Sequence, residues 1–346
     1  MKKWLKAILT LIFVSILTIT SINYIMDPMW SFEHEHPYNQ YQRGSNERQQ
    51  KSHHLYFSSH KYNTLLIGSS RTSYINQDLW FEKGSTFNYA VSDMQPQEYI
   101  PYIDFAITQA RQPIKRIIIG LDFFGALEYH PYISTQSSSL LEPIVNNFYR
   151  WKLLLSFKAL DYSIKNINYY RKKRPGTYRR NNTKNFFPTN NRTEQAYIKS
   201  NEKGLKNYQK HRYSTAYYEN YKTILLTIKQ NYPDIEFIVF TSPVSEEHFK
   251  LLINSGQYKN YERWLKESTK VFDKIHHFMY VNNFTKSSKD YFLDSNHPLL
   301  NTSKCMSLQI QSLPSKCKTV DLILTKDNIK DKLQILKNKN FSNDSS

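Results

Sequence analysis

The longest apolar run in the chain extends from Ala7 to Met26, twenty residues without a charge and rich in Ile, Leu, Phe and Val. As a helix it rises about 30 Å, the thickness of a bilayer's hydrocarbon core. It lacks an amphipathic stripe and ends in Asn23-Tyr24-Ile25-Met26, not in a small-residue cleavage site. Residues 1–26 therefore read as an uncleaved signal anchor. Lys2, Lys3 and Lys6 precede the run, and positive residues stay on the cytoplasmic side, so residues 27–346 are expected outside. No second run of that length follows, which predicts a single-pass protein of the cytoplasmic membrane with its bulk extracytoplasmic.

Past the anchor the pattern shortens. Residues 27–60 form a polar juxtamembrane stretch with Asp27-Pro28 and His34-Glu35-His36. Two histidines beside a glutamate begin a metal site, but no third ligand follows at useful spacing, and the cluster reads as a solvated loop. From residue 61 short buried runs alternate with helical periods. Thr64–Gly68, Phe87–Val91, Arg116–Asp122, Glu236–Phe240 and Phe278–Val281 predict strands; 97–110, 217–228 and 261–275 predict helices. Continuous apolar strands separated by helices imply a mostly parallel α/β sheet covered on both faces. The body spans 61–318. Residues 126–213 interrupt the alternation as a helical and irregular insertion, and 319–346 form a C-terminal helix with a frayed end.

Charge and composition narrow the partners. The formal net charge is +18; removing the three lysines of the acid-free segment 1–26 leaves +15 on the remainder. An exported basic surface meets lipid headgroups or acidic glycans, not nucleic acid. The densest cluster, Arg171, Lys172, Lys173, Arg174, Arg179 and Arg180, lies in the insertion. Two uses fit it equally: a solvated segment, or a clamp for an anionic polymer or the membrane face. Two cysteines exclude a disulfide-dense scaffold and a zinc ribbon. Cys305 and Cys317 fit a short disulfide loop or two buried thiols alike. Eight glycines are few for Gly-rich nucleotide loops, and neither a cofactor nor a metal is expected.

In an open parallel sheet, ligands bind beyond the carboxyl ends of the strands. Those positions carry Gly68-Ser69-Ser70-Arg71, Ser92-Asp93, Asp122-Phe123-Phe124 and Thr241-Ser242-Pro243, and after the last strand Asp294-Ser295-Asn296-His297. A hydrolytic serine needs a base for its proton and a carboxylate to orient the base. Ser70 opens a strand-to-helix turn where its own N–H can face an oxyanion, and Asp294 and His297 are close enough in a turn to bond each other.

On these blocks, together with Asn88-Tyr89-Ala90-Val91-Ser92 and Asn23-Tyr24-Ile25-Met26-Asp27-Pro28, the chain resembles membrane-anchored members of the SGNH/GDSL hydrolase superfamily, including the DltD-like and polysaccharide O-acetyltransferase-related proteins. The resemblance implies a flavodoxin-like three-layer sandwich, with Ser70 as nucleophile, His297 as base and Asp294 as its orienter. It also places Ala90, Ser92, Asp122 and Arg71 in the oxyanion or substrate region. Three departures stand out. Ser69 replaces the Asp of many members, Ala90 then Ser92-Asp93 replace an oxyanion glycine, and Asp122 replaces an Asn donor. An ionised Asp122 cannot donate to an oxyanion, and a lost donor costs about 10²–10³ in rate. Arg71 fits an electrostatic substitute or a salt bridge to Asp93 or Asp122.

The sequence therefore points to a serine acyltransferase or esterase acting on cell-envelope polysaccharide or a related polymer. Its partners would be that glycan, an acyl donor and other envelope-biosynthesis membrane proteins. The alternative is a membrane-tethered polysaccharide-binding or envelope-assembly protein with the same fold and little catalysis.

Overall fold

The computed structural model describes residues 2–128, 139–146, 148–171, 177–185, 194–286 and 288–341. Its strands, in chain order, are β1 (Tyr41–Arg43), β2 (Thr64–Gly68), β3 (Thr86–Asn88), β4 (Arg116–Leu121), β5 (Thr177–Arg179), β6 (Lys184–Asn185), β7 (Glu236–Thr241), β8 (Ile275–His277) and β9 (Leu322–Leu324). The chain divides into two units: Met1–His60 with Thr135–Thr189, and Lys61–Ser134 with Asn190–Ser346.

The second unit is the expected α/β body. Its sheet has the order β3-β2-β4-β7-β8-β9, parallel except for β9, which runs antiparallel to β8. Leu65, Leu66, Ile67, Ile117, Ile118 and Ile119 have no exposed surface. Each such side chain contributes about 1.5–3 kcal/mol on burial, and strands so apolar on successive positions need cover on both faces. From β2 the chain moves outward to β3, then returns through the helix Tyr99–Gln109 to β4 on the other side of β2. The order therefore reverses between β2 and β4, and Ser70 and Asp122 lie just beyond the carboxyl ends of those two strands.

Two elements differ from expectation. The last parallel strand is Ile275–His277, ahead of the apolar run Phe278–Val281. Its histidines are buried and internally bonded: His277 to the Thr241 hydroxyl at 2.9 Å and the Tyr261 hydroxyl at 2.8 Å, His276 to Asp321 at 2.6 Å. Satisfied in this way, polar side chains occupy a core strand that a hydropathy pattern passes over. The C-terminal stretch also supplies β9 before its helix, Ile329–Phe341. Cys305 and Cys317 are joined as a disulfide, with Cα atoms 5.8 Å apart.

The first unit joins the N-terminal helix Lys2–Met26 to residues 27–60 and to part of the insertion. Residues 27–60, the polar juxtamembrane stretch, carry secondary structure. They hold the helix Glu47–Phe57 and β1, which pairs antiparallel with β5, Tyr41 opposite Arg179. The insertion is likewise divided: residues 135–189 belong to this unit and 190–213 to the α/β body. Lys2–Met26 is long and apolar enough to cross a membrane.

Candidate active site

A close contact between two strands sets the position of Ser70. Gly68 pairs with Gly120 across β2 and β4, and the Thr72 side chain fills the space above both. A Cβ on Gly120 would lie 2.0 Å from the Thr72 Oγ1, and one on Gly68 would lie 2.4 Å from it. Only glycine at both positions lets the short helix Ser70–Ser73 sit directly on the strand ends. Ser69 caps that helix by accepting from the Arg71 N–H at 3.2 Å. Asn88, at the end of β3, donates its amide to the carbonyls of Thr72 (3.2 Å) and Ile75 (2.9 Å), and Ser73 Oγ donates to the Ser70 carbonyl at 2.7 Å. Ser70 is thus held from both sides of its turn.

Asp294 and His297 lie in a tight loop closed by the Leu293 N–H on the His297 carbonyl at 2.7 Å. Asp294 Oδ1 accepts the N–H groups of Asn296 and His297, each at 3.0 Å. Its two oxygens reach His297 Nδ1 at 3.0 and 2.8 Å, and His297 Nε2 lies 2.9 Å from Ser70 Oγ. Because a carboxylate only accepts, Nδ1 carries the ring hydrogen, and Nε2 is left to accept the Ser70 hydroxyl. Burial pushes the Asp294 carboxyl up, but the His297 ring and the two backbone N–H groups outweigh it and hold the acid well below its ordinary value. Tyr74 lays its ring against the imidazole, centroids 4.9 Å apart. The side chains of His297 and Asp294 remain about one-fifth exposed, at 21% and 23%, so a reactant can approach.

The other residues proposed for this region divide. Arg71 is buried and pairs with Asp122 at 3.2 Å, while its second terminal nitrogen donates to the Tyr208 hydroxyl at 3.0 Å. Burial opposes the guanidinium charge, yet Tyr208 and Asp122 outweigh that and raise its pKa. Asp122 is therefore the partner of Arg71 in a buried ion pair. Ala90 is buried and its N–H already donates to Asn88 Oδ1 at 3.1 Å, so that amide is committed within the fold. Ser92 is exposed. Asp93, with φ +60°, receives the Arg212 guanidinium.

Several residues beside the site carried no sequence signal. His248 is buried, with Nε2 2.8 Å from the Tyr213 hydroxyl and Nδ1 3.3 Å from Ser295 Oγ, inside the Asp294–His297 loop. Burial drives its pKa far down, so it braces the loop as a neutral ring. Tyr208 comes from the helix Glu194–His211, whose flank forms a groove of about 600 Å³ lined by Lys203, Lys206 and Lys210.

The basic cluster singled out in the sequence is described only in part. Lys172, Lys173 and Arg174 lie outside the described residues. Arg171 and Arg179 are exposed in the first unit. Arg180 is a correction to the clamp: it is buried, its guanidinium bonded to Asp27 at 2.6 Å and to the Phe32 carbonyl. An arginine committed to an internal carboxylate is withdrawn from an outside polymer.

No protein-family model matches the chain, and no curated protein matches it. A solved structure from Streptococcus pneumonia, described as that of a "putative platelet activating factor", is similar over 76% of this chain and 89% of its own, at 12% identity and a TM-score of 0.38.

Proposed function

We propose that the α/β unit is a serine esterase or acyltransferase with Ser70 as nucleophile, His297 as general base and Asp294 as its orienting carboxylate. The supporting observation is the continuous relay: Ser70 Oγ to His297 Nε2 at 2.9 Å, and Nδ1 to Asp294 at 2.8 Å. Ser70 attacks an acyl carbonyl while its proton passes to Nε2. The tetrahedral oxyanion is met by the Ser70 N–H at the start of its short helix. His297 then protonates the leaving group, and the acyl-serine passes its group to a hydroxyl or to water.

The substrate in this reading is cell-envelope polysaccharide or a related polymer on the outer face of the membrane. Two observations favour that side: three lysines precede the span, and the Cys305–Cys317 disulfide suits an oxidising compartment. The Lys203–Lys210 flank supplies positive charge within the same unit.

A second reading, a tethered polymer-binding protein with little catalysis, is favoured by one observation: Asp122, at the position where the resemblance implies a neutral donor, is held in a buried ion pair with Arg71. Hydrolysis of a short-chain chromogenic ester by the full-length protein separates the two. Turnover abolished by Ser70→Ala and by His297→Ala supports the enzyme, and polymer retention with no turnover supports the second reading.

A further inference from the structure

We infer that the segment 148–157 of the first unit is a collar seated in the membrane interface, taking an anionic phospholipid surface around the anchor. The inference rests on the reading that Lys2–Met26 spans a bilayer. The anchor is not a free tether. Near its end Asn23, 2% exposed, donates its amide to the carbonyls of Leu154 at 2.9 Å and Ser156 at 3.1 Å, and accepts from Ser163 Oγ at 3.1 Å. Asn23 precedes Met26 by three residues, about 4.5 Å at the helical rise. The turn holding Leu154 and Ser156 is therefore fixed at the level of the last apolar turn of the span.

At that depth the segment presents apolar side chains outward. Phe148 is 74% exposed, Trp151 50%, Leu155 56% and Phe157 75%. Exposed aromatics so close together mark an interaction surface, and Trp at the edge of a span marks the headgroup level. Interfacial segments settle about 5–10 Å into that boundary, and Asn23 ties this one close to the end of the helix. Lys152 and Lys158 lie exposed among these residues, and the Arg150 guanidinium lies 5.2 Å from the Trp151 ring. Lysines interleaved with aromatics favour an anionic leaflet over a neutral one. Beside the span a groove of about 260 Å³, lined by Ile22, Ile25, Met26, Tyr38, Ile167 and Arg171, offers an apolar trough with a cation for one acyl chain and its phosphate.

Tryptophan quenching tests this directly. Trp30, Trp80 and Trp264 are buried, whereas Trp4 and Trp151 are exposed. Full-length Trp4→Phe protein is reconstituted in phosphatidylglycerol-containing vesicles whose acyl chains are brominated near the headgroup. Retention after an alkaline wash reports the anchor, and quenching reports the collar. The expected result is retained protein with quenched emission, and loss of that quenching when Trp151→Phe is added. Retained protein with equal quenching in both variants would overturn the collar while leaving the anchor in place. Release by the wash would overturn the anchor, and the collar with it. Shielding of Trp151 from the lipid together with a dimeric mass would assign the face to a second copy of the chain and overturn the lipid assignment.

Discussion

Replacing Asp294 by Asn tests the relay through its proton inventory. In the native loop Oδ1 accepts two backbone N–H groups, and Oδ2 lies 2.8 Å from His297 Nδ1. The asparagine carbonyl must keep the two backbone donors, because its amide nitrogen cannot accept them. The NH₂ group then takes the place of Oδ2 and points hydrogens at Nδ1. Nδ1 becomes the acceptor, the ring hydrogen moves to Nε2, and His297 can no longer take the Ser70 proton. A base locked in the wrong tautomer costs on the order of 10⁴ in kcat, about 5.5 kcal/mol of barrier. The assay is steady-state ester hydrolysis by full-length protein across pH, with thermal melts run in parallel to show that the fold is kept. A variant that melts like wild type and retains activity within about tenfold would refute the reasoning, since Asp294 would then be doing no more than closing its loop.

Gly120→Ala should be worse than its single methyl suggests. The new Cβ would meet Thr72 Oγ1 at 2.0 Å and the Phe240 ring at 2.8 Å; overpacking of this kind costs about 1–3 kcal/mol and should displace Ser70, and adding Thr72→Ala should recover part of both melting temperature and activity. Opening the Cys305–Cys317 loop, whose ends are 12 residues apart, should cost about 3 kcal/mol by loss of the chain constraint, read as a lower denaturant midpoint for Cys305→Ser or in reductant. Stability should also fall with acid. Burial lowers His53 to about 4, against a smaller rise from the Met29 carbonyl, and burial alone lowers His277 to about 3. Unfolded histidines take up protons below about 6.5 while these stay neutral when folded. The stability is therefore complete above that pH and lost below it, by about 2 kcal/mol per histidine at about pH 5; denaturant midpoints from pH ~8 to ~5, with and without His277→Gln, measure it.

The body of the fold was legible because its strands bury both faces. Leu65-Leu66-Ile67 and Ile117-Ile118-Ile119 announce themselves by hydropathy, and the turns after them hold Ser70 and Asp122. Strand β8 was not legible, because His276 and His277 earn no hydrophobic weight yet are buried and internally bonded. Strand β9 is three residues in a charged tail. The first unit depends on pairing across more than a hundred residues: Tyr41 with Arg179, Asp27 with Arg180, Asn23 with Leu154. No local pattern encodes such partners, so Arg180 read as part of a solvated or clamping basic cluster and residues 27–60 as a polar juxtamembrane stretch. Ser70, Asp294 and His297 could be singled out because a strand-end turn and a three-residue spacing are local features. Their neighbours Tyr208, Tyr213 and His248 were not, since only the folded chain brings them there.

The most direct measurement of the central claim is covalent labelling. Full-length folded protein is treated with a fluorophosphonate and digested, and the adduct is located by mass spectrometry. The relay predicts one adduct, on Ser70, absent from Ser70→Ala and strongly slowed in His297→Ala. No adduct on the folded protein, or labelling that survives Ser70→Ala, would contradict it.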